Sequence, residues 1–75
     1  MSKIQKTLHA LTTTKQADFK TKQYGAPIAL RDDGSSSMPI EVTIAGYWFG
    51  PNDLRHAAKL FNKLAERLEA EGRAE

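Results

Sequence analysis

Ile40-Glu41-Val42-Thr43-Ile44-Ala45-Gly46-Tyr47-Trp48-Phe49-Gly50-Pro51-Asn52-Asp53 carries the change from a strand pattern to a helix pattern. Up to Ile44, apolar and polar residues alternate strictly, as in a strand with one covered face. After Asp53, the residues Leu54, Ala57, Ala58, Phe61, Leu64, Ala65 and Leu68 recur at helical intervals and form one apolar stripe. Between the two patterns, Gly46 and Gly50 flank three consecutive aromatics, half of those in the chain. Neighbours in an extended segment point to opposite faces, so one packed face cannot take all three.

Working outward, the stripe predicts a C-terminal helix over 52–71. Asn52 or Asp53 is suited to its N-cap and Gly72 to its stop. Upstream, Asp32-Asp33-Gly34-Ser35-Ser36-Ser37 reads as a turn, because short polar side chains compete there for backbone hydrogen bonds. Ile28-Ala29-Leu30 precedes that turn as a second short strand, making a hairpin with 40–44. Residues 17–24 alternate Ala17, Phe19 and Thr21 against lysines and read as an edge strand, broken by Gly25-Ala26-Pro27. In residues 2–12, Ile4, Leu8 and Leu11 have helical spacing, and Ser2 with Gln5 matches a capping box. A short helix is expected there, with a strand as the alternative. The expected fold is α+β: a three-stranded antiparallel sheet packed on a C-terminal amphipathic helix. It forms one small domain, 1–75, divided into a basic N-terminal segment (1–16), the sheet (17–49) and the helix (52–71).

Continuing the alternation through Gly46 splits the aromatics. Ile40, Val42, Ile44 and Trp48 fall on the parity that meets the helix, so Trp48 is expected in the core. Tyr47 and Phe49 fall on the other parity and would expose apolar area, as interface residues do. Two arrangements would remove that surface: the N-terminal segment folding over it, or a bulge at Gly46 that shifts the parity.

The chain has 75 residues, no cysteine and a net charge of +2. Disulfides and thiolate metal sites are excluded. No apolar run is long enough to span a bilayer, and no apolar signal region follows Lys3 and Lys6, so a cytoplasmic location is expected, in the host cell if the chain is phage-encoded. The first 23 residues carry five lysines against one aspartate, and residues 24–50 one arginine against three acids. Along the C-terminal helix, Arg55, Lys59, Lys63 and Arg67 are spaced by four and form a basic ridge, partly relieved by Glu66 and Glu71. Such a ridge suits an acidic protein surface or phosphates. The plain alternative is a solvated helix face. The acidic residues Glu66, Glu69, Glu71 and Glu75 count against phosphate.

The search for chemistry finds little. His9 and His56 lie far apart and in no ligand cluster, so no metal site is expected. Asp32-Asp33-Gly34 lacks the ligand spacing of a calcium loop. The serine run lacks a strand–elbow–helix setting, and no phosphate or dinucleotide motif is present, so no cofactor is expected. The reading is a non-enzymatic protein-binding module that occludes a partner through Tyr47, Phe49, Arg55, Lys59 and Lys63. In size and character it is similar to small accessory proteins of phages and mobile elements, inhibitors of host complexes among them. The alternatives are a nucleic-acid-binding protein using the N-terminal lysines and the ridge, and a homodimer that buries Tyr47 and Phe49.

Overall fold

The computed structural model describes residues 2–35, 37 and 39–73. The elements follow as α1 (Lys3–Thr14), β1 (Gln16–Lys20), β2 (Pro27–Asp32), β3 (Ile40–Ile44) and α2 (Pro51–Ala70). The strands form one antiparallel sheet in the order β1-β2-β3. The α+β architecture and the hairpin expected from the sequence are both present. Of the serine turn, Ser36 lies outside the described residues, as does Glu75 of the acidic tail.

The N-terminal segment is helical because its cap outweighs its threonines. The Ser2 hydroxyl accepts the Gln5 N–H at 3.1 Å, and the Gln5 side-chain oxygen accepts the Ser2 N–H at 3.0 Å. Thr12, Thr13 and Thr14 extend the helix instead of ending it, and each hydroxyl donates to the carbonyl four residues back. The stop is Lys15, at a left-handed φ of 65°. Its carbonyl then accepts the Asp32 N–H at 2.9 Å and so starts the sheet.

Both helices cover one face of the sheet. The core joins Leu11 of α1, Ala17 and Phe19 of β1, Ile28 and Leu30 of β2, and Ala57, Leu60 and Leu64 of α2. The other face carries Asp18, Arg31, Glu41 and Thr43 and is open to solvent. A salt bridge of 3.2 Å joins Arg31 to Glu41 there.

The orientation of α2 differs from the expected stripe. Leu54 is 60% exposed, and Ala58 and Ala65 are also exposed. The buried line is Asp53, His56, Ala57, Leu60 and Leu64. The helix is turned so that two polar side chains enter the interior. Its N-cap is Gly50, with Asp53 inside the first turn, so neither Asn52 nor Asp53 is the cap residue. The C-terminal stop at Gly72 is as expected: at φ 72° its N–H donates to Glu69, and the next N–H, from Arg73, donates to Leu68.

Strand β3 is the second departure. Its inward side chains share the face of Ile28 and Leu30, their cross-strand partners. The helices do not reach far enough to cover them: Val42 is 43% and Ile44 44% exposed. The strand stops at Ile44, so the alternation does not continue through Gly46. Trp48, expected in the core, is the most exposed large apolar residue at 83%, whereas Phe49 is half-buried and packs against the core. Tyr47 is exposed as expected, but Trp48 and Phe49 exchange the places that the parity assigns them, because a turn separates them from the strand.

Candidate interaction face

The face is organised by a buried carboxylate. Asp53 is fully buried and accepts the N–H groups of Gln23 at 2.8 Å, Tyr24 at 3.1 Å and Gly50 at 2.8 Å. Burial alone would raise its pKa. The Thr21 hydroxyl and the Gly50, Tyr24 and Gln23 amides outweigh burial and hold it at about 2. The carboxylate therefore fastens the bend between β1 and β2 to the first turn of α2. Gln23 adds a second tie, since its side-chain oxygen accepts the Asn52 N–H at 3.2 Å. A Cβ at Gly50 would fall onto the end of the Gln23 side chain, which would have to move from its bond with Asn52.

Two hollows flank this bend. On one side Tyr24, Tyr47, Trp48 and Phe49 line a shallow aromatic hollow. Tyr24 is 53% exposed and Tyr47 49%. On the other side lie Lys22, Gln23, Asn52, Arg55, His56 and Lys59. His56 is buried against the Phe19 ring, with centroids 4.6 Å apart, and its Nδ1 has no hydrogen-bond partner among the described residues. Burial lowers its pKa, and the charges of Lys22, Lys3 and Lys59 lower it further, against a smaller opposing effect of Asp53. The hollow thus holds a concentration of positive charge that the buried imidazole avoids joining.

The structure distributes the sequence-predicted site residues over three places. Tyr47 and Phe49 reach the aromatic hollow, Tyr47 through an exposed ring and Phe49 through the edge left outside the core. Arg55 and Lys59 belong to the basic hollow. Lys59 and Lys63 border the cleft between the helices, beside Ser2, Ile4 and Leu8. The ridge ends at Arg67, which turns inward and donates to the Leu8 carbonyl at 2.8 Å while pairing with Glu71 at 3.4 Å. Lys63 pairs with Glu66 at 3.6 Å.

Sequence reasoning missed Trp48, Tyr24 and Lys22. Pro51 was the available signal for Trp48. It favours the first position of a helix, which places the preceding residues in a connecting turn. Nothing local identifies Tyr24 and Lys22, because the long-range bonds of Gln23 and Tyr24 to Asp53 position the bend that carries them.

Comparison with protein-family models, curated proteins and solved structures finds no significant match. Among the described residues, no group of three or more histidines or acids is placed to hold a metal, and no helix is long and apolar enough to cross a membrane.

Proposed function

We propose that this chain is a small non-enzymatic protein-binding module that occludes a surface of a larger partner. The observation that carries the reading is Trp48, 83% exposed within a hollow shared with Tyr24 and Tyr47. Exposed aromatics on a fixed support are common binding anchors, since they bring large contact area at low entropic cost. The support here is the Asp53 carboxylate and its backbone bonds. Lys22, Arg55 and Lys59 lie across the same bend and suit a partner with acid groups around an apolar patch.

Capture from a native lysate with the wild type and the Tyr47→Ser/Trp48→Ser double variant tests this. A partner retained by the wild type and lost by the variant, at unchanged melting temperature, supports the proposal. Equal capture by both refutes it. Trp48 is the only tryptophan, so its emission also reports the event directly: it should shift to the blue on binding.

A second reading is favoured by the aromatic hollow standing beside the basic one. Single-stranded nucleic acid binds such pairs by stacking and charge. Three cations engaging phosphates would give a slope of log K against log salt of about −2. Absence of binding at low salt removes that reading.

A further inference from the structure

The two edges of the sheet are treated differently. In antiparallel pairing, alternate residues bond to opposite neighbours. Along β1 the pairs that bond to β2 include Thr21 with Ala26, whose N–H···O distance is 3.1 Å. Gln16, Asp18 and Lys20 therefore turn their backbone groups to the free side. Side chains occupy two of those carbonyls: the Thr14 hydroxyl donates to Gln16 at 2.8 Å, and the Lys3 ammonium donates to Lys20. Asp18 and Lys20 add charge, so this edge is partly blocked against pairing.

The β3 edge carries one charged residue, Glu41, and no side-chain bond of that kind among the described residues. The Asp33 N–H bonds to the Pro39 carbonyl at 3.0 Å, which sets the phase of the hairpin. Glu41 and Thr43 then bond to β2, and Ile40, Val42 and Ile44 present their N–H and C=O groups outward. Among the described residues no side chain bonds to those groups. The same three residues carry the incompletely covered apolar side chains of the strand.

We propose that this edge pairs with β3 of a second copy, antiparallel about a two-fold axis through Val42. In that register Val42 faces Val42, Ile40 faces Ile44, and Glu41 faces Thr43. Each of the three apolar pairings exchanges two backbone bonds. The one charged residue meets a hydroxyl and not its own copy, so the strand is complementary to itself. The product is a continuous six-stranded sheet.

The helices fit this arrangement. α2 is tied at one end to the β1–β2 bend through Asp53 and at the other to Asp32 of β2 through Arg73, so it runs along β2. The two β2 strands of the pair lie three strand spacings apart, roughly 14 Å. That exceeds the 8–10 Å typical of helix contact, so the two α2 helices clear each other. The trough between them is bordered by Val42 and Ile44 and by the flank of α2 that carries the exposed Leu54 and the half-buried Phe61. The aromatic hollow lies beyond the end of β3, so this pairing goes further than the proposed binding function and does not depend on it.

Sedimentation of the wild type with Val42→Lys, Val42→Glu and their equimolar mixture tests the pairing. The wild type should sediment at twice the mass of one chain. Each charged variant should fall to the mass of one chain with an unchanged far-UV spectrum, and the mixture should recover the double mass because opposite charges meet at the axis. Amide exchange in the wild type supplies a measurement that needs no variant. Protection at Ile40, Val42 and Ile44 equal to that at Glu41 and Thr43 is expected. Rapid exchange confined to Ile40, Val42 and Ile44, a wild type of single-chain mass, or a dimer lost in Trp48→Ser but kept in Val42→Lys each overturns the proposal. Failure of the aromatic face leaves these readouts unchanged, so the two proposals fail separately.

Discussion

Leu54→Ala and Leu60→Ala remove the same atoms from the same helix, yet the structure assigns them different costs. Leu60 is fully buried within the cluster that joins both helices to β1 and β2, whereas Leu54 is 60% exposed. Truncating Leu60 forfeits its transfer energy and leaves a cavity, about 2–5 kcal/mol in well-packed cores. A chain of this size has a total stability of roughly 4–11 kcal/mol. Each kcal/mol shifts Tm by about 4–8 °C in a domain this small, so a fall of roughly 8–40 °C is expected. At Leu54 only the covered minority of the side chain contributes. Full burial of a leucine is worth about 1.5–3 kcal/mol, so the loss is near 1 kcal/mol. The higher helix propensity of alanine offsets a few tenths of that. Thermal melts followed by circular dichroism, at concentrations where self-association contributes nothing, compare the two directly. Equal destabilisation, or a larger effect at Leu54, would mean that α2 presents the stripe read from its apolar residues alone, and the account of its orientation would be wrong.

Three further outcomes follow from the buried polar groups. Asp53→Asn turns an acceptor into a donor facing backbone N–H groups and should lower Tm at neutral pH. The Asp53 pKa is lowered from 3.8 to about 2, so its contribution is complete above about 4 and lost as pH falls through about 2. The deficit of the variant should therefore shrink below pH 4, and a deficit that persists unchanged to pH 2 refutes the latch. Arg73→Met removes the guanidinium that contacts Asp32 at 2.7 and 3.1 Å. The Arg73 hydrogen bond is the largest cause of the lowered Asp32 pKa, about 2, so a carboxyl NMR titration should show it rising towards 3.8. An unmoved titration contradicts the contact. His56 is held below its ordinary 6.5 by burial and then by Lys22, Lys3 and Lys59. A lowered histidine stabilises the fold above the unfolded value, so wild-type stability should fall as pH drops below 6.5. Replacing His56 with Leu should flatten the profile between pH 7 and 5, and an unchanged slope there would locate the titration elsewhere.

The parts legible in the sequence are those decided locally. Ile40 to Ile44 alternate without interruption and form a strand; Ser2 and Gln5 close a capping box; Gly72 takes the positive φ that ends α2. What was not legible depends on partners distant in the chain. The parity of the aromatics needed β3 to continue past Gly46, but Asp53 holds Gly50 and the Lys22–Tyr24 bend in one cluster and ends the strand run early. Arg73 and Asp32 are far apart in sequence, and nothing local in either residue announces their pairing.

The rotation of α2 connects these departures. Counting only apolar residues centres the stripe on Leu54, Ala58, Phe61 and Ala65. Counting Asp53 and His56 as interior residues moves the centre to Leu60 and Leu64, because 53, 56, 60 and 64 also follow helical spacing. The bonds of Asp53 to Gln23, Tyr24 and Gly50 fix that second setting, since no other acceptor from α2 reaches those amides among the described residues. Once α2 is turned this way, its remaining apolar flank points towards β3 and does not close over it. The partial exposure of Val42 and Ile44 and the exposure of Leu54 are thus one effect with one cause. The same carboxylate stations Tyr24 beside Trp48. A single buried polar residue thus sets both the turn of α2 and the support of the aromatic hollow.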